Sequence, residues 1–209
     1  MKAATWLFSL SLLAPSGKVI NFDACKIGQA PPGWTVAATH LGSTSGWEIL
    51  KDRTAPTQPY VFAQVSVDPL ETRPPLAILN DPIPRDADVS VRLKPVSGRD
   101  GLAGGVVWRY HDENNYYLAR ANAIENTVSV FKVENGRRIP ILVGVKHAIP
   151  ANAWSILKVS VRGSRFQVFI DHRRVLEGQD GTFSGAGRVG LWTLADSVIY
   201  FDDFRVYPK

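Results

Sequence analysis

The sequence predicts an all-β protein, a sandwich of two antiparallel sheets of the jelly-roll type. Three observations predict this fold class. Short segments in which apolar and polar residues alternate recur at intervals of roughly 8 to 15 residues, as they do in sandwiches and jelly rolls. The 209 residues include 17 Gly and 14 Pro, which supply the turns that many short strands need. No segment longer than a turn has the apolar period of a helix. A chain of this length can form one domain with a substantial core.

The N-terminal segment Met1–Ser16 has the pattern of a secretory signal peptide. Lys2 precedes an apolar run, Trp6–Ala14, and small residues on either side of Pro15 form a cleavage site. The run is about half the length that a bilayer requires, which argues against a spanning helix. We therefore expect a signal peptide over residues 1–16, a mature domain over residues 17–209, and a secreted or periplasmic protein without a membrane anchor. The alternative is that this segment forms a strand of the domain.

The first half of the mature chain predicts short strands separated by turns. The segment 69–84 carries five prolines, which exclude a long helix and predict an edge or a loop. Cys25 is the only cysteine, so no disulfide can form within the chain. The predicted strands in this part are Val19–Asp23, Trp47–Asp52, Tyr60–Val67 and Ala87–Leu93.

A hairpin is predicted at the centre of the chain. Two apolar and aromatic runs, Val106–Tyr110 and Tyr116–Ala121, flank the polar cluster His111–Asn115, a composition typical of a β-hairpin with a five-residue loop. The pair Asn135–Gly136 is a strong signal for a second, tighter hairpin turn. The strands predicted after the central hairpin are Thr127–Val133, Arg138–Val143, Trp154–Arg162, Arg165–Ile170, Arg174–Leu176, Val189–Thr193 and Ser197–Val206.

The charge of the chain predicts an ordinary soluble surface. The formal net charge of +5 comes from 24 basic and 19 acidic residues that are scattered along the sequence without a long basic run. Proteins that bind nucleic acid usually concentrate their positive charge in a stripe. We therefore expect no nucleic-acid partner.

Five short motifs of the sequence resemble those of a known superfamily. They are Gly104–Tyr110, Asn115–Tyr117, Arg120–Asn122, Gly190–Ser197 and Phe201–Phe204. With these motifs the chain is similar to exported bacterial proteins of the concanavalin-A-like lectin/glucanase superfamily, near the laminin-G-like and 3-keto-disaccharide hydrolase (domain of unknown function 1080) groups. The resemblance extends from Phe22 to Val206 and implies two curved sheets, one of them concave and often sugar-binding.

The catalytic motif of the laminarinase-like members is absent. Those members place two carboxylates on one face of a strand with the pattern Glu-x-Asp-x-x-Glu, as a retaining glycosidase needs. In this chain the adjacent acids Asp202 and Asp203 point to opposite faces of a strand. The chain also has no Gly-x-Ser-x-Gly elbow and no zinc-ligand spacing. Whether any reaction is catalysed stays open at this point.

A sugar site needs rings for the C–H faces of a sugar and planar donors and acceptors for its hydroxyls. Alternation places Arg120 and Asn122 on one face of their strand, and a polar pair in the middle of a sheet must face solvent or be hydrogen-bonded. The candidate ligand-binding residues are Arg109, Tyr116, Arg120, Asn122, Lys132 and Trp192. Trp108, Trp154 and Phe204 are expected in the core instead.

The register of the central hairpin decides on which face Arg109 lies. If Tyr110 pairs with Tyr116, Arg109 shares a face with Tyr117 and lies opposite Arg120, whereas a shift of one residue reverses this.

A structural Ca²⁺ ion is a further expectation that rests on the resemblance. Members of the superfamily often use an ion to tie the first and last strands together. Asp23 and Asp203 lie on those strands, and carboxylate oxygens suit calcium. The alternative is that these two residues cap turns or pair with Lys26 and Arg205.

Taken together, these patterns predict an exported jelly-roll domain that binds a carbohydrate or glycan without paired-carboxylate hydrolysis. Two alternatives remain. One is a 3-keto-glycoside hydrolase or lyase, suggested by the neighbouring group, which would use a single base and a metal. The other is a structural or adhesive module that binds another protein.

Overall fold

A computed structural model describes residues 17–40, 46–66 and 73–209. Within these residues the chain forms fifteen β-strands in two antiparallel sheets and no helix, which confirms the predicted all-β sandwich. No described helix is long and apolar enough to cross a membrane. The expected signal peptide, residues 1–16, lies outside the described residues.

One sheet has eight strands and contains both ends of the described chain. Its order is β13-β12-β11-β6-β15-β4-β3, and the short strand β1 also pairs with β15. The strands of this sheet are β1 (Lys18–Ile20), β3 (Trp47–Lys51), β4 (Tyr60–Gln64), β6 (Ala87–Ser97), β11 (Ser155–Arg162), β12 (Arg165–Ile170), β13 (Arg173–Gln179) and β15 (Val198–Pro208).

The other sheet has seven strands in the order β10-β9-β8-β7-β14-β5-β2. It contains the central hairpin and carries the candidate site described below. Its strands are β2 (Trp34–Ala38), β5 (Pro75–Leu79), β7 (Ala103–Asp112), β8 (Asn115–Asn122), β9 (Thr127–Glu134), β10 (Arg137–Lys146) and β14 (Arg188–Thr193).

The main core lies between the two sheets and follows the alternation of the strands. In β6, Val89, Val91 and Leu93 are buried against the facing sheet, while the residues between them point outward. Trp108 and Phe204 are buried in this core, as expected.

Trp154 is not in the core, contrary to expectation. It is half-buried on the outer side of the eight-stranded sheet, where its Nε1 donates to Thr54 Oγ1 at 3.2 Å. The Lys94 ammonium lies 5.3 Å from its ring centroid and 4.9 Å from that of Tyr200. The ring therefore packs on a buried lysine rather than on apolar side chains, an amphipathic use that tryptophan allows.

The proline-rich segment contains a strand that the sequence did not predict. Strand β5 pairs with β2 on one side and β14 on the other. Pro75 is its first residue, where a missing N–H is tolerated, and the apolar run Leu76–Leu79 that follows is buried. The prolines therefore determine where this strand begins, but they do not prevent it from forming.

The central hairpin is tighter and more irregular than predicted. Asp112 pairs with Asn115, so the turn has two residues rather than five. Trp108 pairs with Tyr117, and the register shifts between Trp108 and Asp112. Tyr110 therefore does not pair with Tyr116, because a bulge takes up the extra residues of β7.

Candidate functional site

The candidate site lies on the face of the seven-stranded sheet that points away from the main core. Directly paired residues of neighbouring strands point to the same face, so Trp192, Gly105, Arg120 and Ser129 form one row across β14, β7, β8 and β9. The space that a Cβ would take at Gly105 is already occupied by the Leu118 side chain and the Ala119 carbonyl group. Trp192 and Ser129 are fully buried, so this row lies beneath the surface of the face.

This face is largely apolar and buried, which is unusual for the outside of a sandwich. Tyr116 and Trp192 are both fully buried, and Phe131 is nearly so. The buried residues of this second cluster are Leu76, Ile78, Ala103, Val107, Tyr110, Tyr116, Leu118, Phe131, Val133, Trp192, Leu194 and Ala195.

Contacts between distant strands show that the sheet curves toward this face. Arg138 on β10 and Trp192 on β14 are separated by three strands. In a flat sheet their backbones would be about 19 Å apart at the usual strand spacing. The Arg138 guanidinium carbon nevertheless lies 5.9 Å from the Trp192 ring centroid. The face is therefore concave, and we call it the concave face.

Two guanidinium groups meet over one ring on the part of the concave face formed by β8, β9 and β10. The guanidinium carbon of Arg138 lies 5.5 Å from the centroid of Phe131, and that of Arg120 lies 5.2 Å from it. Arg120 also donates to Glu125 Oε2 at 2.9 Å. Cation–π contact fixes planar guanidinium groups well. The aromatic residues thus hold the two arginines in place.

A strap formed by Thr39 and His40 closes one end of the concave face. Thr39 Oγ1 and Tyr116 Oη share a hydrogen bond of 3.0 Å, and the His40 amide donates to Asn114 Oδ1 at 3.2 Å. Gly136 lies against the His40 ring and has a φ of 77°, so a side chain at that position would meet both steric and conformational obstacles.

A pocket of about 270 Å³ opens between this strap and strands β8 to β10. It combines an imidazole, a guanidinium and two hydroxyl groups with apolar walls. Burial raises the pKa of Tyr116 well above its usual range, so its hydroxyl stays protonated. The described lining residues are Thr39, His40, Pro74, Tyr116, Val133, Gly136 and Arg138.

Three of the six expected ligand-binding residues meet on the concave face, namely Tyr116, Arg120 and Trp192. Asn122 follows Arg120 on the same face at the end of β8, as alternation predicts. Its Oδ1 accepts the amide hydrogens of Ile124 at 2.9 Å and of Glu125 at 3.1 Å. It therefore closes the turn after β8.

Lys132 points to the opposite side of the sheet. It pairs with Tyr117, whose ring faces the main core. The Lys132 ammonium donates to Thr182 Oγ1 at 2.7 Å and lies 3.4 Å from Glu134 and 3.8 Å from Asp180. Burial, together with the hydrogen bond to Asp180, raises the pKa of Tyr117 to about 12. Lys132 thus helps to anchor the loop after β13.

Arg109 is buried away from the concave face. It lies in the bulge of β7 with a φ of 49°, and its side chain is 3% exposed. Its guanidinium donates to the carbonyl oxygens of Gly163 at 2.5 Å, Phe183 at 2.6 Å and Arg85 at 3.3 Å, and to Asp86 at 3.3 Å. Arg109 thus connects three segments of the chain through hydrogen bonds, and its contacts are those of a residue that stabilises the fold.

Sequence reasoning missed Thr39, His40, Phe131 and Arg138. Alternation placed Phe131 and Arg138 on strands but could not assign them to a face, because that depends on pairing with β8. The Asn135–Gly136 turn before Arg138 was the available signal, since it sets the register between β9 and β10.

The two residues expected to hold calcium, Asp23 and Asp203, both have protein partners in the described part of the chain. Asp203 lies 3.1 Å from Arg92 and 3.5 Å from Arg205, and Asp23 accepts the Tyr60 amide hydrogen at 3.4 Å. A carboxylate between two guanidinium groups is a poor ligand for Ca²⁺. Within the described residues, no group of three or more His, Cys, Asp or Glu side chains is placed to hold a metal ion.

Solved structures of other proteins share the fold of this chain. No protein-family model matches the chain. The carbohydrate-binding module CBM66 from Bacillus subtilis has a solved structure that superposes with a TM-score of 0.65 at 24% identity, covering 83% of this chain and 94% of the module. The chain has the concanavalin-A-like jelly-roll fold.

Two further solved structures superpose on the chain and agree with this fold. Xylan β-1,4-xylosidase from Bacillus halodurans C-125 superposes with a TM-score of 0.61 at 14% identity, over 93% of this chain and 40% of that protein. Domain 4 of AbnA, a GH43 extracellular arabinanase from Geobacillus stearothermophilus solved with arabinotriose, has a TM-score of 0.55 at 15% identity, over 93% and 94% of the two chains.

One curated protein is similar in sequence. Levanase from Bacillus subtilis (strain 168) is 34% identical over 102 residues. The match covers 48% of this chain and 14% of the levanase, so about half of this chain is similar to a small part of that enzyme.

Proposed function

We propose that this jelly-roll domain binds a carbohydrate on its concave face. The observation that carries the proposal is the convergence of Arg120 and Arg138 on the ring of Phe131, beside a pocket of about 270 Å³. Pockets with a few fixed polar groups in an apolar surround are typical ligand sites. The similarity to a levanase and to a carbohydrate-binding module supports a sugar as the ligand.

The chemistry of the pocket suits a sugar with several hydroxyl groups. The Arg138 guanidinium offers planar donors, and the exposed His40 ring offers a donor and an acceptor. Tyr116 and Trp192 are too deeply buried to stack on a ligand directly. They support the groups around the pocket instead, since the Trp192 ring lies 5.9 Å from the Arg138 guanidinium carbon and Tyr116 shares a hydrogen bond with Thr39 of the strap.

Hydrolysis is not part of the proposal. A retaining glycosidase needs two carboxyl groups about 5–5.5 Å apart around the scissile bond. The described residues that line the pocket include no Asp or Glu. The proposed role is therefore binding alone.

We also propose that the protein is exported and that residues 1–16 are removed. A secreted location fits a domain that binds external glycans, and the pattern of Lys2 followed by an apolar run supports it. N-terminal sequencing of the protein recovered outside the cytoplasm tests this, with a start at Gly17 as the expected result.

The binding proposal is tested by titration calorimetry with levan and arabinotriose, each with an assay for released sugar. Arg138→Ala should lower the affinity by about tenfold or more, because it removes charge-assisted hydrogen bonds. Lys132→Ala is the matched control, since it removes a basic side chain from the opposite face of the same sheet. If Lys132→Ala weakens binding as much as Arg138→Ala, the concave face is not the site. Release of sugar from either ligand would instead favour an enzyme. Absence of binding to both levan and arabinotriose would favour the structural or adhesive module.

A further inference from the structure

A second cleft lies on the outer face of the eight-stranded sheet, on the opposite side of the molecule from the concave face. Its volume is about 140 Å³. It is formed by β6, β11 and β15, together with the turn between β12 and β13. The lining residues are Ser90, Val91, Arg92, Ile156, Lys158, His172, Asp203 and Arg205.

Strand pairing explains why basic side chains surround this cleft. Arg205 pairs with Ser90, and Ser90 pairs with Lys158, so two basic residues flank one small residue in a row across three strands. Arg92 lies two residues beyond Ser90 on the same face of β6. The small side chain of Ser90 leaves the space in which the cleft opens.

The cations of this region outnumber its carboxylates. Asp203 pairs with Arg92 at 3.1 Å and Arg205 at 3.5 Å. Asp88 pairs with Lys158 at 3.2 Å and also with two further cations, Arg162 at 2.8 Å and Lys209 at 3.8 Å. We call these five cations, which are Arg92, Lys158, Arg162, Arg205 and Lys209, the basic patch.

Five cations share the two carboxylates that pair with them. Two further acids lie on the same elements, since Asp171 accepts the Ile156 amide hydrogen at 2.7 Å and the buried Asp202 accepts the Thr57 amide hydrogen at 2.9 Å. Positive charges therefore outnumber negative ones in this region by five to four. Asp88 already accepts a hydrogen bond from Ser160 at 2.8 Å in addition to its ion pairs. Asp88 therefore cannot neutralise the remaining positive charge of this region, which would attract an external anion.

We propose that the basic patch binds the carboxylate or sulfate groups of an acidic polysaccharide in this cleft. The planar guanidinium groups of Arg92 and Arg205 match an oxyanion, and the Lys158 ammonium adds a third donor. The side chains of these three residues are 39%, 41% and 37% exposed, so a ligand can reach them. Ser90 offers a hydroxyl for a neighbouring sugar hydroxyl.

The surroundings of the cleft favour a polysaccharide over a nucleic acid. Single-stranded nucleic acids bind where open aromatic rings stack on their bases. Phe169, which pairs with Lys158 across β11 and β12, lies under the Lys158 ammonium at 5.4 Å. The Lys158 ammonium covers this ring, so Phe169 does not offer a face on which a base could stack.

The experiment measures binding of the full chain to polygalacturonate and to dextran sulfate, with neutral dextran and single-stranded DNA as comparisons. Binding to at least one acidic polysaccharide is expected, and it should weaken as salt rises from about 50 mM to about 300 mM, because ions screen exposed charges. The two acidic polymers distinguish a carboxylate from a sulfate ligand. Equal or tighter binding of DNA, or binding to neither acidic polymer, would overturn the proposal.

A double variant identifies the cleft. Lys158→Gln with Arg205→Gln should lower the affinity for the acidic polymer by about tenfold or more. Lys51→Gln with Arg53→Gln changes the net charge equally at exposed positions by the far edge of the same sheet, and should leave the affinity within about twofold. An equal loss in both double variants would show attraction by net charge alone. Thermal unfolding verifies that each variant is folded, and binding of neutral glycans on the concave face should not change.

Discussion

Thr39 and Tyr116 share a hydrogen bond of 3.0 Å, although the strands that carry them to this point, β2 and β8, are separated by three others in the sheet. The contact ties the edge of the sheet to its centre across the concave face. It shows that the site depends on curvature as much as on the identity of its residues.

Removal of the Tyr116 hydroxyl should loosen the strap. Tyr116→Phe is expected to lower the free energy of unfolding by about 1 kcal/mol, because a buried hydrogen bond is lost and Thr39 keeps an unpaired hydroxyl. Urea denaturation measures this change. Tyr207→Phe removes the same atom from a ring that is 39% exposed and should have little effect. Equal losses in the two variants would contradict a specific role for the contact.

Gly136 should resist substitution for two separable reasons. Gly136→Ala is expected to lower the free energy of unfolding by about 1–2 kcal/mol through the left-handed backbone conformation alone, and further through overlap with His40. Gly163→Ala is the matched control, because Gly163 has a φ of 56° and the Cβ of an alanine there would have no neighbouring atoms within 4 Å. Denaturation of both variants isolates the effect of the overlap. If Gly136→Ala lowers the free energy of unfolding no more than Gly163→Ala does, overlap with His40 does not contribute to the cost of the substitution.

Arg109 should be important for stability and unimportant for binding. Arg109→Met leaves several buried carbonyl oxygens without donors, so we expect a loss of about 3 kcal/mol in the free energy of unfolding. Arg137→Met, at an exposed position, should cost far less. The affinity of the folded Arg109→Met protein for a glycan should equal that of the unmodified protein. A selective loss of affinity with unchanged stability would return Arg109 to the ligand site.

Asp196 should make stability depend on acidity. Burial raises the pKa of its carboxyl group, but the amide hydrogens of Arg99, Asp100 and Gly101 lower it more, so the net pKa lies below the usual value of 3.8. A carboxyl group with a lower pKa in the folded state stabilises the fold above its unfolded pKa, and this contribution is lost as pH falls through the folded pKa.

The variant Asp196→Asn removes the charge and one of the two acceptor oxygens, because Oδ2 accepts from Arg99 and Oδ1 from Gly101 and an amide has a single oxygen. The lost hydrogen bond gives a difference in stability that does not change with pH, and the lost charge gives one that does. The unmodified protein should be the more stable of the two near neutral pH, and the difference should shrink as pH falls from about 5 toward about 2. Urea denaturation across this range measures it. A difference that is constant with pH would show that the charge of Asp196 does not contribute.

The sequence located most of the strands because their signals are local. In β6 the alternation of Val89, Val91 and Leu93 with polar residues places one face in the core without reference to any other strand. Asn135 and Gly136 both have positive φ values, as the predicted hairpin turn requires. The expected positions of Trp108 and Phe204 follow from the same apolar patterning.

What only the tertiary structure decided are the relationships between strands. The bulge around Arg109 breaks the register of the central hairpin, which separates this residue from Arg120. Curvature of the seven-stranded sheet brings Arg138 within reach of Trp192, and pairing of three distant strands gathers the basic patch from charges that look scattered in the sequence. Alternation and turn chemistry act over a few residues and are written in the sequence directly. Register, bulges and sheet curvature depend on which strands meet, so the composition of both faces emerges only when the two sheets are assembled.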